Sequence, residues 1–92
     1  MIKTLEKSIR SWVIEISINK DRLITGVIKK RSRFSGSVNY FFYFLGDEKN
    51  LTLRFDPVFV KNEVPKTIQQ EVKRLAKKLI KQQKEEMQNE NH

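Results

Sequence analysis

Ninety-two residues with a net charge of +8 and no cysteine allow one small core and exclude a disulfide, a thiolate metal site and a cysteine nucleophile. A hydrophobic fraction of 38% beside a charged fraction of 33% describes a folded, highly soluble module. The longest uncharged apolar run, around residues 38–46, is far too short for a membrane span.

Residues 1–10, MIKTLEKSIR, read as an arm outside the sheet, a short helical turn or an unstructured lead. They carry Lys3, Glu6, Lys7 and Arg10 and lack the apolar segment of a signal peptide. With no cysteine in the chain, the expected compartment is the cytoplasm. In residues 11–18, SWVIEISI, Trp12, Ile14, Ile16 and Ile18 alternate with Ser11, Glu15 and Ser17, the period of a half-buried strand. Asn19-Lys20-Asp21-Arg22 is a polar break of hairpin length. Residues 23–31, LITGVIKKR, form a second strand on their β-branched content, with Gly26 marking a bulge or a close backbone approach.

A Ser/Gly loop around Gly36 leads to a third strand, residues 38–45, VNYFFYFL. Alternation puts Tyr40, Phe42 and Phe44 on one face and Phe41, Tyr43 and Leu45 on the other, so this strand is apolar on both sides. After the turn at residues 46–50 comes LTLRFD, residues 51–56, with Leu51, Leu53 and Phe55 inward and Thr52, Arg54 and Asp56 outward. Pro57 ends the ladder, and Val58–Val60 extends a bent edge. Asn62 is the expected helix cap. Beyond it Ile68, Val72, Leu75, Ala76, Leu79 and Ile80 form one apolar helical stripe.

The fold class is therefore α+β: a four-stranded antiparallel β-meander followed by one long C-terminal amphipathic helix packed on one sheet face (ββββα). One domain covers residues 1–84, and residues 85–92 form a disordered acidic tail.

Positive charge collects in two blocks. Residues 20–35 contain Lys29, Lys30, Arg31 and Arg33 just before the aromatic strand. Residues 66–84 contain Lys73, Arg74, Lys77, Lys78 and Lys81 with Glu71 as the one acid among them. Concentrated cation favours a polyanionic partner. One helix covers one sheet face, so the second aromatic face needs a barrel, a dimer or a flat ligand. Nucleobases stack on Phe and Tyr while Lys and Arg hold phosphates. The candidate nucleic-acid-binding residues are Lys29, Lys30, Arg31, Arg33, Phe34, Phe41 and Tyr43, and the helix cations are a secondary basic surface. The competing account is a solvated hairpin end beside a strand packed in core and interface.

Enzyme chemistry finds little support. The one histidine, His92, stands at the C-terminal end, and no Gly-rich phosphate loop is present. The carboxylates show no metal-site spacing, so no metal and no cofactor is expected. A histidine-free ribonuclease built on Lys, Arg and Glu is the residual enzymatic option.

The strand order over residues 11–83, with one open sheet face, resembles the single-stranded nucleic-acid binders of the Pur-alpha and whirly type. The resemblance is one of topology, implies pairing between modules and strand binding on a sheet face, and transfers no site residue. The expected protein is a small non-enzymatic nucleic-acid binder, dimeric, preferring single-stranded DNA or RNA. The alternative is a protein-interaction module, an accessory or inhibitor protein, whose second sheet face is buried in a homodimer or against an acidic partner.

Overall fold

The computed structural model describes residues 2–32 and 36–90. Five strands, β1 (Lys3–Ile9), β2 (Trp12–Ile18), β3 (Ile24–Ser32), β4 (Gly36–Leu45) and β5 (Thr52–Asp56), precede a short 3₁₀ helix, Val58–Glu63, and the long helix α1 (Lys66–Glu90). The strands make one antiparallel sheet in the order β1-β2-β3-β4-β5. This is the meander read from the sequence, with a strand more than the four expected.

The added strand is β1, where the sequence suggested an arm. Its half-buried Lys3, Leu5, Lys7 and Ile9 alternate with exposed Thr4, Glu6 and Ser8. Lysines occupy two of the inward positions, so the hydrophobic pattern does not reveal the period of two. The turn is equally disguised. Ile9 stands opposite Trp12, leaving a two-residue connection in which Arg10 has φ 55°. Such tight hairpins need a positive φ at the first position, which Gly or Asn usually advertises.

The helix-facing side of the sheet is the core. Trp12, Ile14, Ile16 and Ile18 of β2 are buried with Ile24, Ile28, Tyr40, Phe42, Phe44, Leu53 and Phe55. From α1 come Ile68, Val72, Leu75, Ala76 and Leu79, each large aliphatic side chain contributing roughly 1.5–3 kcal/mol on burial. Among the described residues no polar or charged residue is buried.

Gly26 sits mid-sheet without a bulge, because its pairing with Ile16 and Phe42 is continuous. A Cβ there would lie 2.5 Å from the Phe42 ring and 2.2 Å from the Glu15 carbonyl oxygen. The glycine therefore marks a close approach, with Phe42 of β4 reaching over β3.

The helix boundaries also differ from expectation. Asn62 and the Val58–Val60 edge belong to the 3₁₀ helix. α1 instead starts behind Pro65, whose carbonyl accepts from the Ile68 and Gln69 amides at 3.1 Å each. The Gln69 side-chain Nε2 donates back to the carbonyls of Val64 and Lys61, at 2.9 and 3.1 Å, which joins the two helices. At the other end α1 continues to Glu90, through a stretch expected to be a disordered tail. Polar ties replace the fading apolar stripe. The Gln83 amide donates to the Asn19 carbonyl at 2.7 Å, Lys3 meets Glu86 at 2.5 Å, and Lys84 pairs with Glu48.

On the β1 side Glu71 binds Lys7 at 2.7 Å and also Arg74. Hydrogen bonds from Arg74 first, then Lys7, hold its carboxyl down at about 2. A depressed carboxyl stabilises the fold fully above its ordinary pKa, and that stability disappears as the pH falls from 4.5 through about 2. Glu71→Gln should therefore lose less melting temperature than the parent between pH 5 and pH 2, as thermal scans across that window (about 4.5 down to 2) would record. Gly26→Ala should cost at least about 1–3 kcal/mol, read as a lower urea midpoint, because its Cβ meets the Glu15 carbonyl of β2 as well as the Phe42 ring.

Candidate functional site

The alternation of β4 decides the site. With Tyr40, Phe42 and Phe44 in the core, Phe41 and Tyr43 stand on the face that α1 leaves uncovered, 56% and 37% exposed. This is the division of faces the sequence indicated. Pairing sets their neighbours. Glu6, Glu15, Val27, Phe41 and Asp56 form one cross-strand row. Thr4, Ser17, Thr25, Tyr43 and Arg54 form the next. Along β3 the same face presents Lys29 opposite Asn39 and Arg31 opposite Ser37.

The cation cluster is thus split by the strand period. Lys29 and Arg31 share the aromatic face. Lys30 faces the other way, paired with Val38 and Trp12, and its Nζ lies 5.2 Å from the centre of the Trp12 ring. That is a cation–π contact closing the end of the core, so Lys30 does not join Phe41 and Tyr43. Arg33 and Phe34 lie outside the described residues.

Arg54 is the cation that sequence reasoning left out of the site. Its outward direction was legible in LTLRFD, but its place beside Tyr43 follows from the β4–β5 register. Among the described residues the face is electrically balanced. Lys29, Arg31 and Arg54 are matched by Glu6, Glu15 and Asp56, and Lys29 already holds Glu15 at 3.0 Å. Arg31 and Arg54 form no ion pair among the described residues.

Of the secondary basic surface, Arg74 is held by Glu71, while Lys73, Lys77, Lys78 and Lys81 are exposed. Among the described residues there is no cluster of three or more potential metal ligands, and no helix is long and apolar enough to cross a membrane. Protein-family models, curated proteins and solved structures offer no match to this chain.

The face assignment has a direct stability signature. Phe42→Ala should cost about 3–5 kcal/mol, the usual loss for a buried aromatic. Phe41→Ala, one residue away, should cost under about 1 kcal/mol, the scale of a cross-strand surface pair. Equilibrium urea unfolding of both variants makes the comparison.

Proposed function

We propose that the protein is a non-enzymatic nucleic-acid binder that takes single strands on the uncovered sheet face. The observation that carries the reading is the placement of Phe41 and Tyr43 in adjacent rows of an open face, with Arg54 beside Tyr43. Two residues of one strand separate the rings by about 6.8 Å. Bases stacked in a duplex are only about 3.4 Å apart along each strand. One base per ring therefore requires an unstacked strand, which favours single-stranded over duplex ligands. On this reading Arg54, beside Tyr43, and Arg31, two cross-strand rows beyond Phe41, hold phosphates, and the balanced charge of the described face makes stacking the larger contribution there.

The test is fluorescence anisotropy with labelled single-stranded DNA, single-stranded RNA and duplex at about 50 and 200 mM salt. Single strands should bind more tightly than duplex. Phe41→Ala and Tyr43→Ala should each weaken single-strand binding by about 1–3 kcal/mol, and Arg54→Gln should reduce the salt slope by about 1. Equal affinity for single and double strands, unaltered in both aromatic variants, would remove the reading.

The exposed apolar side chains of the face, Phe41, Tyr43 and Leu45, favour a second reading, a homodimer packed sheet to sheet, because interface cores are enriched in aromatic residues. On that reading sedimentation shows a dimer without nucleic acid, and Phe41→Ala or Tyr43→Ala dissociates it.

A further inference from the structure

The described charge on the uncovered sheet face cancels, so the excess of cations must be presented elsewhere. Part of it gathers along the side of α1 that borders the 3₁₀ helix and the turn before β5. Three shallow clefts run there in sequence. The first, about 190 Å³, is lined by Lys61, Lys66 and Gln69 together with Asn62 and Val64. The second, about 230 Å³, shares Lys61, Lys66 and Gln69 and adds Gln70 and Lys73. The third, about 330 Å³, shares Lys73 and runs past Lys77 to Lys49, Asn50 and Thr52. The shared lining joins them into one track.

Lys49, Lys61, Lys66, Lys73 and Lys77 are all exposed and form no ion pair among the described residues. The acid that lines the track, Glu48, is neutralised by Lys84. Neighbouring Asp47 turns its carboxylate onto the amides of Lys49 and Asn50 at 3.0 and 2.9 Å. The helix supplies spacing as well as charge. Lys66, Lys73 and Lys77 fall on one side of α1, spread over about 16 Å of axis at 1.5 Å per residue. That is roughly five nucleotides of a B-form strand at 3.4 Å each.

We propose that this track, lined by α1, the 3₁₀ helix and the turn before β5, binds the sugar-phosphate backbone of nucleic acid without reading bases. Among the described residues no aromatic side chain lines it, and its polar lining of Gln69, Gln70, Asn50 and Thr52 suits phosphate and sugar oxygens. A lipid surface fits less well. The apolar side chains of α1 (Ile68, Val72, Leu75 and Leu79) are buried against the sheet and cannot enter a bilayer. The inference rests on the nucleic-acid reading but not on the sheet face. The backbone track accepts duplex and single strands alike, whereas stacking on Phe41 and Tyr43 accepts single strands only.

The experiment measures binding of a labelled duplex and a labelled single strand between about 50 and 200 mM salt. Vesicles of phosphatidylserine and phosphatidylcholine form a parallel arm. The triple variant Lys66→Gln, Lys73→Gln, Lys77→Gln should lower the duplex salt slope by about 3, near 1 per lysine. Arg10→Gln, Lys20→Gln, Arg22→Gln removes the same charge from two hairpin turns and should leave that slope in place. An equal fall in both triples, or an unchanged slope in the first, would overturn the track. So would loss of vesicle binding in the first triple from a protein that does not bind duplex. Phe41→Ala with Tyr43→Ala separates the two surfaces: it should abolish the single-strand preference and keep duplex binding. Loss of duplex binding in this aromatic variant would count against the track, and a retained single-strand preference would count against the sheet face alone.

Discussion

One helix covering one face of a five-stranded sheet is the constraint from which the rest of the molecule follows. The β2 isoleucines Ile14, Ile16 and Ile18, together with Phe42 and Phe55, form an apolar surface that must be kept from water. α1 seals it with Ile68, Val72, Leu75 and Leu79. The seal depends on depth as well as hydrophobicity, because Phe42 lies over β3 where Gly26 leaves room. With α1 used up on this side, Phe41 and Tyr43 remain 56% and 37% exposed among the described residues. The uncovered face is a consequence of the core and not a separate device.

The same geometry sorts the charge. On the open face the described cations Lys29, Arg31 and Arg54 cancel the carboxylates Glu6, Glu15 and Asp56, which share one cross-strand row. Glu71 and Glu86 tie α1 to β1 through Lys7 and Lys3, which uses acidic groups on that flank. On the β5 flank Glu48 is held by Lys84 and Asp47 by backbone amides, and Lys49, Lys61, Lys66, Lys73 and Lys77 form no ion pair among the described residues. Aromatic surface and positive charge therefore occupy different sides of the sheet, and they approach each other at β5. Thr52 borders the cleft track, and Arg54, two residues on, stands beside Tyr43. A strand leaving the aromatic rows across this edge would enter the lysines.

Much of this was legible in the residues. The alternating β2 and β5, the two-faced β4 and the stripe of α1 carry strong periodic signals, and the exposure of Phe41 and Tyr43 followed from parity alone. β1 was not legible because lysines fill two inward positions and arginine occupies the turn position that glycine usually marks. The continuation of α1 to Glu90 escaped notice for a related reason: its last turns are secured by Gln83, Lys84 and Glu86 contacts with distant loops and β1. Such long-range polar ties leave no period in the sequence.

By itself the sequence determined the α+β class, the order of most elements, the side chains that form the core and the excess of positive charge. These are local properties, set by the periods of strand and helix and by composition. The tertiary structure decided which charges meet which neighbours. It divided Lys29 and Arg31 from Lys30, brought Arg54 to Tyr43, cancelled the described charge of the sheet face and aligned Lys61, Lys66, Lys73 and Lys77 in one run of clefts. The physical reason is that a one-residue change of register reverses every side chain. Interactions between distant segments are therefore set by pairing and helix docking, which no single stretch of sequence contains.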